Sequence, residues 1–214
     1  MNPSPTQVAA FVRQHSHDLR NDLTAIELDA VLLASVFPSG EAAEIVDRLR
    51  TQIRKMAVGL QDISAQFAEV KPVRVSVPVR ELVEALKREA LAERPELSWH
   101  ESVGDSRVSV DANSLVRVFK ELLVNAAKFG DGSRLTITAE VEAGHVVFSL
   151  HEPKANPVDP DMWGSVPFAA VKRGSYGLGL WGADRIVKAN GGTVARTHKD
   201  GNLTTILIFP VEQP

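Results

Sequence analysis

The sequence contains no cysteine in its 214 residues. Disulfide staples, thiol nucleophiles and cysteine metal sites are therefore excluded, and the composition fits a reducing compartment. Aromatic residues are sparse, at 6% with a single tyrosine, and they do not interleave with basic residues as on a nucleic-acid surface. The net charge is only −3, which argues against broad binding to nucleic acid or to an anionic membrane. Long apolar runs are missing too: the longest, Ala30 to Phe37, is broken by Ser35 and is far too short to span a bilayer. The N-terminus shows no basic-then-apolar leader pattern. Together these absences predict a cytoplasmic protein with no membrane association, no nucleic-acid partner and no input domain of its own.

What is present is ordinary globular material. Hydrophobic residues make up 44% and charged residues 24%, and the length suits one domain or two small ones. The first third reads as a helical hairpin. Val12, Leu19, Ile26 and Leu33 recur every seven residues, with Ser16, Leu23, Ala30 and Phe37 between them. Phe37-Pro38-Ser39-Gly40 carries turn chemistry. A second helix shows Ile45, Leu49, Gln52, Met56, Leu60, Ile63 and Phe67 at the same four-three spacing, the signature of a coiled coil or bundle. One hairpin buries such seams poorly. Two hairpins would complete a four-helix bundle, so a homodimer is expected.

From Lys71-Pro72 the pattern changes. Val73, Val75 and Val77 alternate as a strand, and Pro78 suits the first turn of a helix running to about Ala92. Short strands near Leu97–Val103 and Arg107–Val110 precede a helix from Ala112 to Phe129, ended by Gly130-Asp131-Gly132. Two alternating strands flank Glu142-Ala143-Gly144. A loop rich in Pro and Asp covers Pro153 to Gly174, and a helix follows from Leu178 to Ala189. The chain closes with a hairpin turning at Lys199–Asn202. Antiparallel strands with helices on one face predict an α+β sandwich. The expected division is a hairpin over residues 1–70 and a sandwich over 71–214.

Three constellations offer chemistry. In Ser16-His17-Asp18-Leu19-Arg20-Asn21, an imidazole has an acid beside it and an amide one helical turn away. A neutral imidazole is a nucleophile, and a neighbouring carboxylate orients its ring and manages its proton. The heptad puts His17 on the flank of the seam, where a second protein can reach it, and His15 on the other flank. Glu121, Asn125 and Lys128 share one helix face, and an acid, an amide and an amine together suit a magnesium-phosphate group. Gly174-Ser175-Tyr176-Gly177-Leu178-Gly179 precedes a helix N-terminus, where backbone N–H groups approach phosphate. Each has a plain alternative: a solvated histidine, a polar helix face, a loop entering a helix. His100, His145, His151 and His198 lack the spacing of a zinc site.

Taken in order, a heptad hairpin with His-Asp-Leu-Arg-Asn, then Glu-Leu-Leu-Val-Asn-Ala-Ala-Lys-Phe, then Gly-Leu-Gly-Leu about 50 residues on, resembles the core of sensor histidine kinases. The resemblance implies a dimerisation and phosphotransfer hairpin followed by an ATPase domain of the gyrase/Hsp90/kinase/MutL type. It makes His17 the phosphoacceptor, Asp18 the acid that assists transfer, and Asn21 the residue that positions water for dephosphorylating a partner. Glu121 and Asn125 take the N-box positions, with Asn125 the Mg²⁺ ligand and Lys128 on the phosphate side. Gly177 and Gly179 match the second glycine box, and Phe168 the single aromatic left of the F box. ATP and Mg²⁺ are the implied cofactors, and a response-regulator receiver domain and a separate sensor protein the implied partners.

The departures concern the nucleotide. In the Asp-x-Gly-x-Gly box, Glu152 takes the place of the base-reading Asp, and Lys154 and Asn156 fall where the glycines belong. Side chains there crowd the base and strain the backbone, which argues against ATP binding. Ser175 replaces the first glycine of the second box, the intervening lid is short, and Asp22 replaces a proline that commonly bends the first helix. Three functions are consistent with this pattern. One is a phosphorelay histidine phosphotransferase exchanging phosphate between His17 and receiver aspartates. The others are a soluble histidine kinase using ATP-Mg and a non-catalytic pseudokinase that binds a response regulator.

Overall fold

The computed structural model describes residues 5–130, 134–154, 156–164, 167 and 177–212. It divides into two compact units, Met1–Glu69 and Val70–Pro214.

The first unit is a pair of helices, α1 (Pro5–Val36) and α2 (Glu41–Gln66), joined by the turn at residues 37–40. Glu41 and Glu44 place negative charge in the first turn of α2, where the helix dipole favours it. Helix α1 runs without interruption through Asp22, roughly 48 Å at 1.5 Å per residue. Inside the hairpin, Leu23, Ala30, Val46 and Ile53 are buried, with Ala34, Ala57 and Leu60 packed against them. Within one hairpin the heptad positions divide into an inner and an outer series. On α1 only the Ser16, Leu23 and Ala30 series is buried, whereas Leu19, Ile26 and Leu33 are 39%, 50% and 46% exposed. On α2 the inner positions are Val46 and Ile53, with the expected Leu60 packed against them and the expected Phe67 buried, while the expected Ile45, Leu49 and Met56 face out. Two apolar stripes lie side by side on each helix, and only one meets the sister helix. Glu27 ties the pair across the hairpin, accepting from Arg50 Nε at 3.3 Å and Arg54 Nη2 at 3.0 Å.

The second unit is a sheet covered on one face by helices. Its order is β1 (Val75–Pro78), α3 (Val79–Glu93), β2 (Ser98–Ser102), β3 (Arg107–Val110), α4 (Ala112–Phe129), β4 (Thr136–Glu142), β5 (His145–Pro153), α5 (Gly179–Ala189), β6 (Thr193–Lys199) and β7 (Asn202–Pro210). The main sheet has the strand order β2-β4-β5-β7-β6, and β1 pairs with β3 in a separate ribbon. One expectation fails here: β2 runs parallel to β4, so the sheet is mixed rather than antiparallel. The chain passes through α4 between these two strands, a crossover long enough for parallel pairing. Val73 lies outside β1 and is 77% exposed.

Helix α4 shows why these elements form. Asp111 caps it by accepting from Ser114 N at 3.1 Å, and Gly130 follows its last residue. Its apolar residues Leu115, Val118, Phe119, Leu122, Leu123 and Ala126 repeat at helical spacing and are all buried. They meet the inward alternates of the sheet, where Phe119 packs edge-on to Phe148, and Phe148 packs against Phe209. Asn190, 1% exposed at the end of α5, donates to Ser114 Oγ and accepts from Asp111 N, joining that end to the start of α4. These contacts hold the start of α4 and the end of α5 together.

Candidate functional site

On α1, residues 14, 18 and 21 surround His17 at helical spacing. His17 Nδ1 lies 3.4 Å from Asp18 Oδ1 and 3.4 Å from Asn21 Nδ2. Gln14 Nε2 donates to the same Asp18 oxygen at 2.9 Å, which fixes the carboxylate from its far side. The His17 and Asp18 side chains are 64% and 55% exposed. Both polar neighbours address Nδ1, so the opposite ring nitrogen, Nε2, points away from them. With its proton on Nδ1 shared toward Asp18, the ring presents the Nε2 lone pair outward, and the Asn21 amide nitrogen then stands beside Nδ1 without donating to it. His15 stands apart from this group, its ring stacked on Phe11 at 5.4 Å. Ser16, between the two histidines, is buried.

In the second unit, Glu121 and Asn125 meet on α4. Asn125 Nδ2 donates to the Glu121 carbonyl at 2.7 Å and lies 3.3 Å from its Oε1. Lys128, one turn further, is exposed in the last turn of the helix. Gly179 opens α5 against this pair, and a Cβ there would collide with the Glu121 carboxylate. Helix α5 has no acidic residue in its own first turn, so Glu121 supplies negative charge to that dipole end from α4. Gly177 has φ 64°, a left-handed conformation that a side chain would strain. Phe168 and Ser175 lie outside the described residues.

The end of β5 holds an assembly that pattern matching only half anticipates. Glu152 and Lys154 are two apart on the chain and therefore share a face; their side chains are 7% and 5% exposed and form an ion pair. Lys154 Nζ donates to the Phe129 carbonyl at 2.9 Å and sits 4.9 Å from the centroid of the Trp163 ring. Phe129 meets the same tryptophan edge to face. The Lys154 amide donates to Gly201 O at 2.7 Å, which holds its backbone in line with the sheet. Asn156 is exposed. Trp163 reads in the sequence as a packing residue; the signal for its contact is a lysine at an inward strand position, which requires partners. In the core, the void between α4 and the sheet, lined by Leu122, Leu150 and Thr205 among others, amounts to about 10 Å³. Among the described residues, no three His, Asp or Glu side chains converge as metal ligands, and no helix is long and apolar enough to cross a membrane.

Residues 110–213 match the family described as histidine kinase-, DNA gyrase B- and HSP90-like ATPase, which defines the class of the second unit. The helical hairpin lies ahead of that unit in the chain. The chain is 25% identical over 229 residues to the sensory histidine kinase/phosphatase NtrB of Rhizobium meliloti (strain 1021), covering 96% of this chain and 59% of that protein. The chain thus spans under two thirds of this relative's length. Its fold is shared with full-length ShkA, solved in complex with AMPPNP, at TM-score 0.63 and 22% identity over 96% of this chain and 46% of ShkA. It is shared also with the histidine kinase AdeS of Acinetobacter baumannii, at TM-score 0.55 and 16% identity over 92% of this chain and 98% of AdeS. These likenesses show the fold: two N-terminal helices followed by an α+β sandwich like that of histidine-kinase ATPase domains.

Proposed function

We propose that this protein is a cytoplasmic histidine phosphotransferase of a phosphorelay, with His17 as the carrier. The observation that carries the reading is the outward imidazole whose Nδ1 faces Asp18 and Asn21. His17 Nε2 attacks the phosphorus of an aspartyl phosphate on a receiver domain. The P–O bond to that aspartate breaks, its carboxylate leaves, and a P–N bond forms on His17. Asp18 holds the proton on Nδ1 and balances the positive charge that builds on the ring. The reverse step delivers the phosphoryl group to a second receiver aspartate. Asn21, beside the ring, orients the water when water replaces the second receiver. The exposed Leu19, Ile26 and Leu33 stripe supports a homodimer through the hairpin, because a large apolar face of this kind is otherwise left in water.

A second reading, a histidine kinase driven by a separate sensor, has the Glu121–Asn125 contact in its favour. ATP would then place Mg²⁺ on Asn125 and phosphate near Lys128. The Glu152–Lys154 pair counts against it, because the residue expected to read the base is engaged by its own chain. These residues do not fit a nucleotide base, so phosphoryl supply is assigned to a receiver.

The test is to incubate purified protein and H17A with a labelled, phosphorylated receiver domain, and separately with γ-labelled ATP and Mg²⁺. Label reaching the wild type from the receiver, and not reaching H17A, is the expected result. Label from ATP would establish the kinase instead. Binding of the receiver without any label transfer would leave a pseudokinase that sequesters its partner.

A further inference from the structure

We infer that Lys154 is a built-in occupant of the base end of the second unit, which closes that unit to adenine nucleotides from within. The inference concerns the pocket and is independent of whether His17 accepts phosphate. Three observations converge on it. Glu152 stands on the inward face of β5, at the position where a base-reading acid is expected, and Lys154 follows on the same face. The ammonium has its donors engaged by the Glu152 carboxylate and the Phe129 carbonyl, with the face of Trp163 over it. Finally, the lysine is backbone-anchored through Gly201, so its stem does not swing with a free loop.

Chemical polarity makes this closure selective. An adenine amine is a donor and requires an acceptor. Glu152 is the acceptor, and a cation already covers it. Lysine itself offers three donors and no acceptor. A base could reach Glu152 only by displacing the ammonium and leaving a buried charge without its counter-ion, a penalty of roughly 100-fold or more in affinity. Crowding by an inert side chain would relax with small shifts of the backbone. An ion pair under an aromatic ring resists displacement even when space can be made. On this basis the domain keeps its fold and the α4 stripe while losing its ligand.

Two measurements on the full chain test the inference. The first is brief acetylation with acetic anhydride, read by peptide mass spectrometry. Lys154 is expected to react at least tenfold more slowly than the exposed Lys188 and Lys199, equally with and without millimolar ATP-Mg. Labelling at the rate of the exposed lysines would overturn the inference, as would protection that appears only with ATP. The second is calorimetry with ATP, ADP and GTP on the wild type and on Lys154→Gly, with thermal melts to confirm folding. No heat from the wild type and adenine-nucleotide binding by Lys154→Gly are expected. Nucleotide binding by the wild type, or none by a folded Lys154→Gly, would overturn it. If that variant does not fold, the acetylation result decides. Phosphoryl uptake by wild-type His17 from a receiver, measured in parallel, reports on the transfer reading alone.

Discussion

The polar clusters around His17 and around Lys154 are built in opposite ways. Around His17 the side chains stand more than half in solvent and the contacts are long, 3.4 Å on each side of Nδ1. Around Lys154 the ion pair is almost wholly buried under an aromatic ring. An exposed, loosely held imidazole can be approached by another protein and can change partners. A buried ion pair can do neither, and its energy goes into fixing one arrangement. On the proposed reading, chemistry belongs on the hairpin and the sandwich supplies shape.

The contrast can be broken at either end. The largest effect is expected from Glu152→Ala, which leaves the Lys154 ammonium buried without its carboxylate. Urea unfolding should show a loss of about 3–5 kcal/mol, and the double variant Glu152→Gln with Lys154→Met should recover most of it. A Glu152→Ala variant as stable as wild type would mean that the pair is solvated. At the exposed end, Asp18→Asn should leave stability unchanged but slow phosphoryl uptake by about 100-fold, within the range for lost proton management. Stopped-flow transfer from a phosphorylated receiver measures it, and an unchanged rate would remove Asp18 from the chemistry. Ile26→Asp should halve the mass seen by sedimentation while the hairpin keeps its helicity; an unchanged mass would place the dimer contact elsewhere. The smallest effect is expected from Glu27→Ala. Its two arginine partners are at least partly exposed, so the loss should be about 1 kcal/mol or less in thermal unfolding.

Much of the fold is legible in the sequence because local signals agree. Helix α4 carries a capping Asp111, helical apolar spacing and Gly130 beyond its end, and it spans Ala112–Phe129 as its pattern predicts. The turn at Ala143-Gly144, with φ of 48° and 77°, sits between two alternating strands as expected. The hairpin seam is less legible. Periodicity shows that a face is apolar, not which neighbour covers it, so the pattern favours Ile45 and Leu49 over the equally apolar Val46 and Ile53. The parallel β2–β4 pairing is hidden for a similar reason: strand order depends on contacts distant in the chain, and alternation is the same in either direction. The charge at residue 154 is visible, and so is its shared face with Glu152. What the sequence withholds is the Phe129 carbonyl and the Trp163 ring, brought to it from other segments.

Gly179 has a consequence for how such chains are read. Its missing side chain makes room for the Glu121 carboxylate, so the spacing between α4 and α5 depends on it whether or not anything arrives from solvent. A glycine at a helix entrance is commonly taken as the mark of a ligand. Here it is equally a record of two helices resting against each other, and it would be required in a domain that had no ligand at all. A glycine with such a duty therefore does not by itself report on occupancy.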